Sequence, residues 1–138
     1  MKIYIASPYV RLAHINAQIV NALSKDTQLD VFLPKSVNVD AVSLAEMRYV
    51  ADICYTQIAQ REIIIAVGPF GLSVAAEVGY AIAKKKGGEK KYIVLYHSEG
   101  KDVAVSEAML APFIDFEVDS IQDLVALVKE LLESAVLN

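Results

Sequence analysis

The chain has 138 residues, 55% of them hydrophobic, and a formal net charge of −4; this suits one domain, residues 1–138, with a sizeable core, and argues against disorder. The acidic balance argues against a nucleic-acid-binding surface, and no apolar run approaches the roughly 18–20 residues needed to span a bilayer. A single cysteine, Cys54, excludes an internal disulfide and a cysteine metal cluster, and two separated histidines, His14 and His97, argue against a zinc site.

Met1–Ala6 enters a strand directly, without a signal-peptide pattern, so the expectation is a cytoplasmic protein that handles a small molecule. Lys2–Ala6 reads as a first strand stopped by Ser7-Pro8-Tyr9. From Val10 to Lys25, Leu12, Ile15, Ile19 and Leu23 recur at helical spacing. Leu29–Leu33 is a second strand halted by Pro34, and Lys35–Ala41 is a polar loop offering Ser36, Asn38 and Asp40.

Ser43 with Glu46 three residues later forms a capping box, and the helix it opens is expected to run to about Arg61. Leu44, Met47, Ala51, Cys54 and Ile58 make its apolar stripe, so Cys54 reads as a packed small hydrophobe. Asp52 lies off the stripe, four residues from Arg48, the spacing of an exposed ion pair.

The run Ile63–Val67 reads as a buried third strand, followed by the breakers Gly68, Pro69 and Gly71. Ser73 is the expected start of a helix of small and apolar residues that stops at Gly87-Gly88. Lys84–Lys86, with Lys90 and Lys91, reads as solvation of that helix end. Tyr92–Tyr96 is a fourth strand, Ser106–Leu110 a possible short helix before Pro112, and Phe113–Val118 a fifth strand. Asp119 or Ser120 caps a last helix, in which Ile121, Leu124, Val128, Leu131 and Leu132 are buried; Val125, Leu127 and Val136 widen its apolar surface towards a subunit contact.

Strands alternating with helices imply a parallel sheet covered on both faces. Right-handed crossovers then favour a doubly wound α/β fold of five strands in the flavodoxin-like order 2-1-3-4-5. Its switch point, between strands one and three, would bring Ser7–Tyr9 and Gly68–Glu77 to one pocket. In that pocket Gly68, Gly71 and Ser73 could hold an anion or a sugar hydroxyl at a helix start, although GPFGLS matches neither a dinucleotide fingerprint nor a phosphate loop. Glu77 is the conspicuous residue. A capping box opened by Ser73 would need its carboxylate at Ala76, one position earlier. A carboxylate inside a nearly uncharged helix points to function.

Together the opening KIYIASPY and the block Glu77-Val78-Gly79-Tyr80-Ala81 resemble the nucleoside 2-deoxyribosyltransferase family, which includes nucleoside 5′-monophosphate N-glycosidases. The resemblance implies that Glu77 attacks the anomeric carbon of a (deoxy)nucleoside or nucleotide, and that a base or water resolves the glycosyl-enzyme. It implies further that Ser7, Pro8 and Tyr9 line the base or phosphate site. A neighbouring subunit of a homodimer or larger homo-oligomer would add a polar residue from the loop holding Ser106 and Glu107, and no cofactor or metal is called for. Cys54 and Gly71 stand where the family commonly carries acids; Asp52, the nearest acid to the first, is the candidate acid/base partner. Those two departures motivate an alternative, a non-catalytic nucleotide-binding or sensing module of the same fold. A third reading is a related NAD-cleaving or nucleotide-sugar-processing activity.

Overall fold

Each strand is a short run of β-branched, aromatic or apolar residues, and in a parallel sheet such runs are buried on both faces. In the computed structural model, which describes residues 1–34, 43–100 and 107–137, five of them pair in the order β2-β1-β3-β4-β5. The elements are β1 (Lys2–Ala6), α1 (Ala13–Leu23), β2 (Asp30–Phe32), α2 (Leu44–Ala59), β3 (Ile63–Gly68), α3 (Leu72–Lys86), β4 (Tyr92–His97), β5 (Phe116–Val118) and α4 (Ile121–Leu137). Every pairing is parallel, with Ile3 beside Ile63 and Gly68 beside His97 fixing the register about the central β3. This is the flavodoxin-like α/β topology expected from the alternation of elements.

The two-residue period of a strand sorts β1 between two cores. Ile3 and Ile5 join Ile19, Leu23, Leu124 and Val128 beneath α1 and α4. Tyr4 and Ala6 join Ile58, Val74, Val78 and Ala81 beneath α2 and α3. The second core places a tyrosine hydroxyl under α3, and the candidate site is built on that fact.

Several boundaries differ from the sequence expectation, each for a physical reason. The first helix begins at Ala13 rather than Val10, because Leu12 supplies no side-chain cap and Tyr9–Leu12 turn instead. The edge strand shortens to Asp30–Phe32, since β1 is its sole partner. Ala111–Phe113 forms a 3₁₀ turn around Pro112, so β5 starts only at Phe116. The Lys35–Ala41 loop and Ser106 lie outside the described residues.

The capping box is present: the Ser43 hydroxyl accepts from the Glu46 N–H at 3.1 Å and donates to Oε1 of the same residue at 2.9 Å. Ser120, rather than Asp119, caps α4 through the Asp123 N–H. The apolar stripe of α2 packs only in its later half: Ile58 is buried, while Leu44 and Met47 are 85% and 48% exposed. In α4, Val125 and Leu127 pack against the first core, and Val136 is exposed.

Two buried cations tie the layers together. Arg61 donates to the carbonyls of Ile3 and Asp30, bridging β1 and the edge strand. Lys91 is 4% exposed and gives its ammonium to the carbonyls of Ile58, Ala59 and Arg61 at 2.8–3.1 Å, closing the C-terminus of α2. Such a charge-assisted cap satisfies carbonyls that a helix end leaves open. Lys91→Met keeps the buried stem but takes the ammonium away from those carbonyls, and is expected to lower unfolding stability by about 2–4 kcal/mol; the shift of the urea midpoint measures it.

Candidate active site

The site forms where β1 and β3 end and their chains diverge to opposite faces of the sheet. β1 leads into Ser7-Pro8-Tyr9. β3 leads through a cis Gly68–Pro69 peptide to Gly71, the extended N-cap of α3. The helix therefore begins at Leu72, with Ser73 inside its first turn; the Ser73 cap expected from sequence is corrected to Gly71, two residues earlier. Gly71 serves because its carbonyl accepts from the Ala75 N–H. Glu77 then lies six residues beyond the cap, too deep for capping-box chemistry.

Instead Glu77 turns to the sheet. The Tyr4 hydroxyl donates a short hydrogen bond to Glu77 Oε2, and the Tyr4 side chain is fully buried, its ring stacked on Phe32 at 5.6 Å between centroids. Burial pushes the Glu77 carboxyl up to about 7, and the Tyr4 hydrogen bond opposes part of that rise. Burial first, then the charge of Glu77 and the hydrogen bond to it, holds the Tyr4 hydroxyl far above its ordinary range. Tyr4 is thus a permanent donor, and Oε2 is its acceptor.

A cavity of about 670 Å³ opens onto Glu77. Ser7, Pro8 and Tyr9 line it from the β1 loop; Gly71, Ser73 and Glu77 line it from α3. Met47, Val50, Ala51, Cys54 and Tyr55 supply the α2 side. Burial raises the Cys54 thiol, the Tyr4 hydrogen bond works against this, and Glu77 adds to the rise. The Ser7 hydroxyl is buried and has no hydrogen-bond partner among the described residues, so it is available to a ligand.

Other residues singled out from sequence lie elsewhere. Asp52 is exposed on α2 and absent from the cavity lining, and the ion pairs among described residues include none between it and Arg48. Gly68 is buried at the end of β3, its carbonyl accepting from the Ser98 hydroxyl. Glu107 borders a second cavity, of about 850 Å³, which Phe70, Ile82, Met109 and Phe113 also line. That cavity is larger, but Glu77 does not line it. His14 is exposed, whereas His97 is buried and shares a 2.9 Å hydrogen bond with Glu117. Among the described residues no group of three or more His, Cys, Asp or Glu is placed to hold a metal ion.

Tyr4 was not singled out by the sequence reasoning. Its signal was available: strand alternation puts its side chain on the layer opposite Ile3 and Ile5, and a buried tyrosine hydroxyl needs a polar partner. Near the end of β1, the polar partner on that layer is the Glu77 carboxylate.

The raised carboxyl has a consequence for stability. Below the unfolded value of about 4.5, Glu77 is protonated in both states and costs nothing; between there and about 7 the unfolded chain alone gives up its proton, so stability falls as pH rises. Glu77→Gln removes that cost, and is expected to be more stable than the parent by about 2–3 kcal/mol at pH 8.5 and equal to it near pH 4. Urea unfolding at the two pH values checks this.

Neither a protein-family model nor a curated protein matches the sequence. Solved structures do. A 2-deoxyribosyltransferase from Bacillus psychrosaccharolyticus superposes with a TM-score of 0.70 at 18% identity, over 91% of this chain and 90% of that one. A CMP N-glycosidase from Clostridium botulinum gives 0.60 at 14% identity, over 95% and 99%. A 2-deoxyribosyltransferase from Leishmania mexicana gives 0.63 at 20% identity, over 94% and 97%. Across nearly its whole length, the chain shares the fold of these three enzymes.

Proposed function

We propose that the chain cleaves or transfers the N-glycosidic bond of a (deoxy)nucleoside or nucleoside 5′-monophosphate, with Glu77 as nucleophile. The observation that carries this reading is the hydrogen bond from buried Tyr4 to Glu77 Oε2 at a cavity wall. It orients the carboxylate and leaves Oε1 for the anomeric carbon. Attack by Oε1 releases the base and forms a glycosyl ester; a second base or water then attacks the same carbon and restores the carboxylate. Tyr4 favours the ionised nucleophile before the first step and the departing carboxylate in the second. Ser7, Pro8, Tyr9, Gly71 and Ser73 are the proposed substrate contacts. The fold is shared with enzymes named for deoxyribosyl transfer and for CMP N-glycoside cleavage, which supports the substrate class.

The reading carries with it a cytoplasmic setting and a homodimer or larger homo-oligomer. Leu44, Tyr49, Leu72 and Met109, all at least 65% exposed, are the apolar surface available to a second copy. Among the described residues no helix is long and apolar enough to cross a membrane.

A second reading, a nucleotide-binding module without turnover, draws on one observation: Glu77 is the sole carboxylate among the described residues lining the cavity. Calorimetric binding of a nucleotide without base release over a long incubation would favour it.

Two substitutions test the catalytic reading by chromatography of released base. Glu77→Ala should abolish release while the fold survives, and unchanged turnover contradicts the proposal. The parent's kcat/KM should rise with pH through about 7 as Glu77 ionises. Tyr4→Phe removes a hydrogen bond that favours the carboxylate, so that rise should move to higher pH, and the plateau should fall by roughly tenfold or more.

A further inference from the structure

Resting on Glu77 as the nucleophile, we propose that the preferred substrate carries a positively charged base, a heterocycle with a fixed ring cation such as a pyridinium or a 7-alkylated purine. The cavity asks for this in two ways, through its charge and through the fate of the leaving group.

The described lining residues include one carboxylate and no lysine, arginine or histidine. Among the described lining residues an ionised Glu77 is therefore a desolvated negative centre without a cationic partner, and a cation on the ligand supplies one. Tyr9 and Tyr55 add aromatic rings to the cavity lining, and a cationic heterocycle is held against such rings better than a neutral one.

The leaving group sharpens the point. When the bond from a neutral base to the sugar breaks, the electron pair stays on the ring nitrogen, and the base needs a proton or departs as an anion. The Tyr4 proton is committed to Glu77 Oε2, and burial makes the Cys54 thiol a weaker acid. The hydroxyls of Ser7, Ser73, Tyr9 and Tyr55 can donate hydrogen bonds to a departing base, and no carboxylic acid other than Glu77 is among the described lining residues to transfer a proton. Met47, Val50 and Ala51 in the same lining offer no side-chain donor to an anionic base.

A cationic base removes the difficulty. Glu77 Oε1 bonds to C1′, the C1′–N bond breaks, and its electron pair neutralises the ring cation, so the base leaves neutral without a proton. One anion and one cation become a neutral ester and a neutral base. A dry apolar cavity favours that loss of charge over the transfer of an anion to the base. Water then attacks C1′, the bond to Oε1 breaks and returns its pair to Glu77, and the water proton passes to solvent.

The test compares matched pairs on the full chain by chromatography of released base: 7-methylguanosine against guanosine, and nicotinamide riboside against uridine. The cationic member of each pair should have a kcat/KM at least about 100-fold higher, the size of effect a missing general acid leaves. Its release should be abolished by Glu77→Ala, and the nicotinamide riboside profile should rise to a plateau without falling at alkaline pH. Comparable turnover of the neutral members, or an alkaline fall in their rates that marks a protein acid, overturns the proposal while leaving the Glu77 reading intact. Base release that survives Glu77→Ala, or no release from any of the four, overturns both.

Discussion

The candidate site depends on one hydrogen bond, from a tyrosine on the first strand to a glutamate on the third helix. It links residues 73 positions apart and exists because strand alternation drives Tyr4 into the core shared with α3. Desolvation makes the ionised carboxylate costly, and the phenol offsets part of the cost. Neither group alone has this character. A buried tyrosine without the carboxylate would have an unpaired hydroxyl, and the carboxylate without the tyrosine would favour its neutral form more strongly.

The scaffold around the pair is rigid where it needs to be. Tyr4 lies in the strand between β2 and β3, its ring stacked on Phe32. Val74, Val78 and Ala81 anchor α3 to the same core. At the far end of α2, Lys91 and Arg61 secure carbonyls of the helix and strand ends through buried hydrogen bonds. The early turns of α2 and α3 are different: Leu44, Tyr49 and Leu72 remain exposed.

Much of this fold was legible in the sequence, because alternating strand and helix patterns with short connections leave few topologies. The Ser43–Glu46 capping box was legible for a similar reason: its chemistry is local. The start of α3 was misjudged by two residues, since glycine can cap without a side-chain signature. That error understated the case for Glu77, which lies deeper in the helix than a Ser73 cap implied. Tyr4 escaped because its significance is a tertiary contact, invisible until β1 and α3 are packed. His97 escaped likewise, its partner Glu117 lying on the neighbouring strand. Asp52 was weighed by its distance along the chain, but helix phase puts Cys54 and Ala51, not Asp52, on the cavity side of α2.

The central claim is that Glu77 becomes covalently attached to the sugar. Acid quenching of the protein during turnover, followed by intact-mass measurement and peptide mapping, tests it directly. A mass increase of one pentosyl or deoxypentosyl group on the peptide containing Glu77, absent from Glu77→Gln, is the result the account predicts. Sustained turnover with the adduct on another residue, or with no adduct under conditions that trap a glycosyl ester, would contradict it.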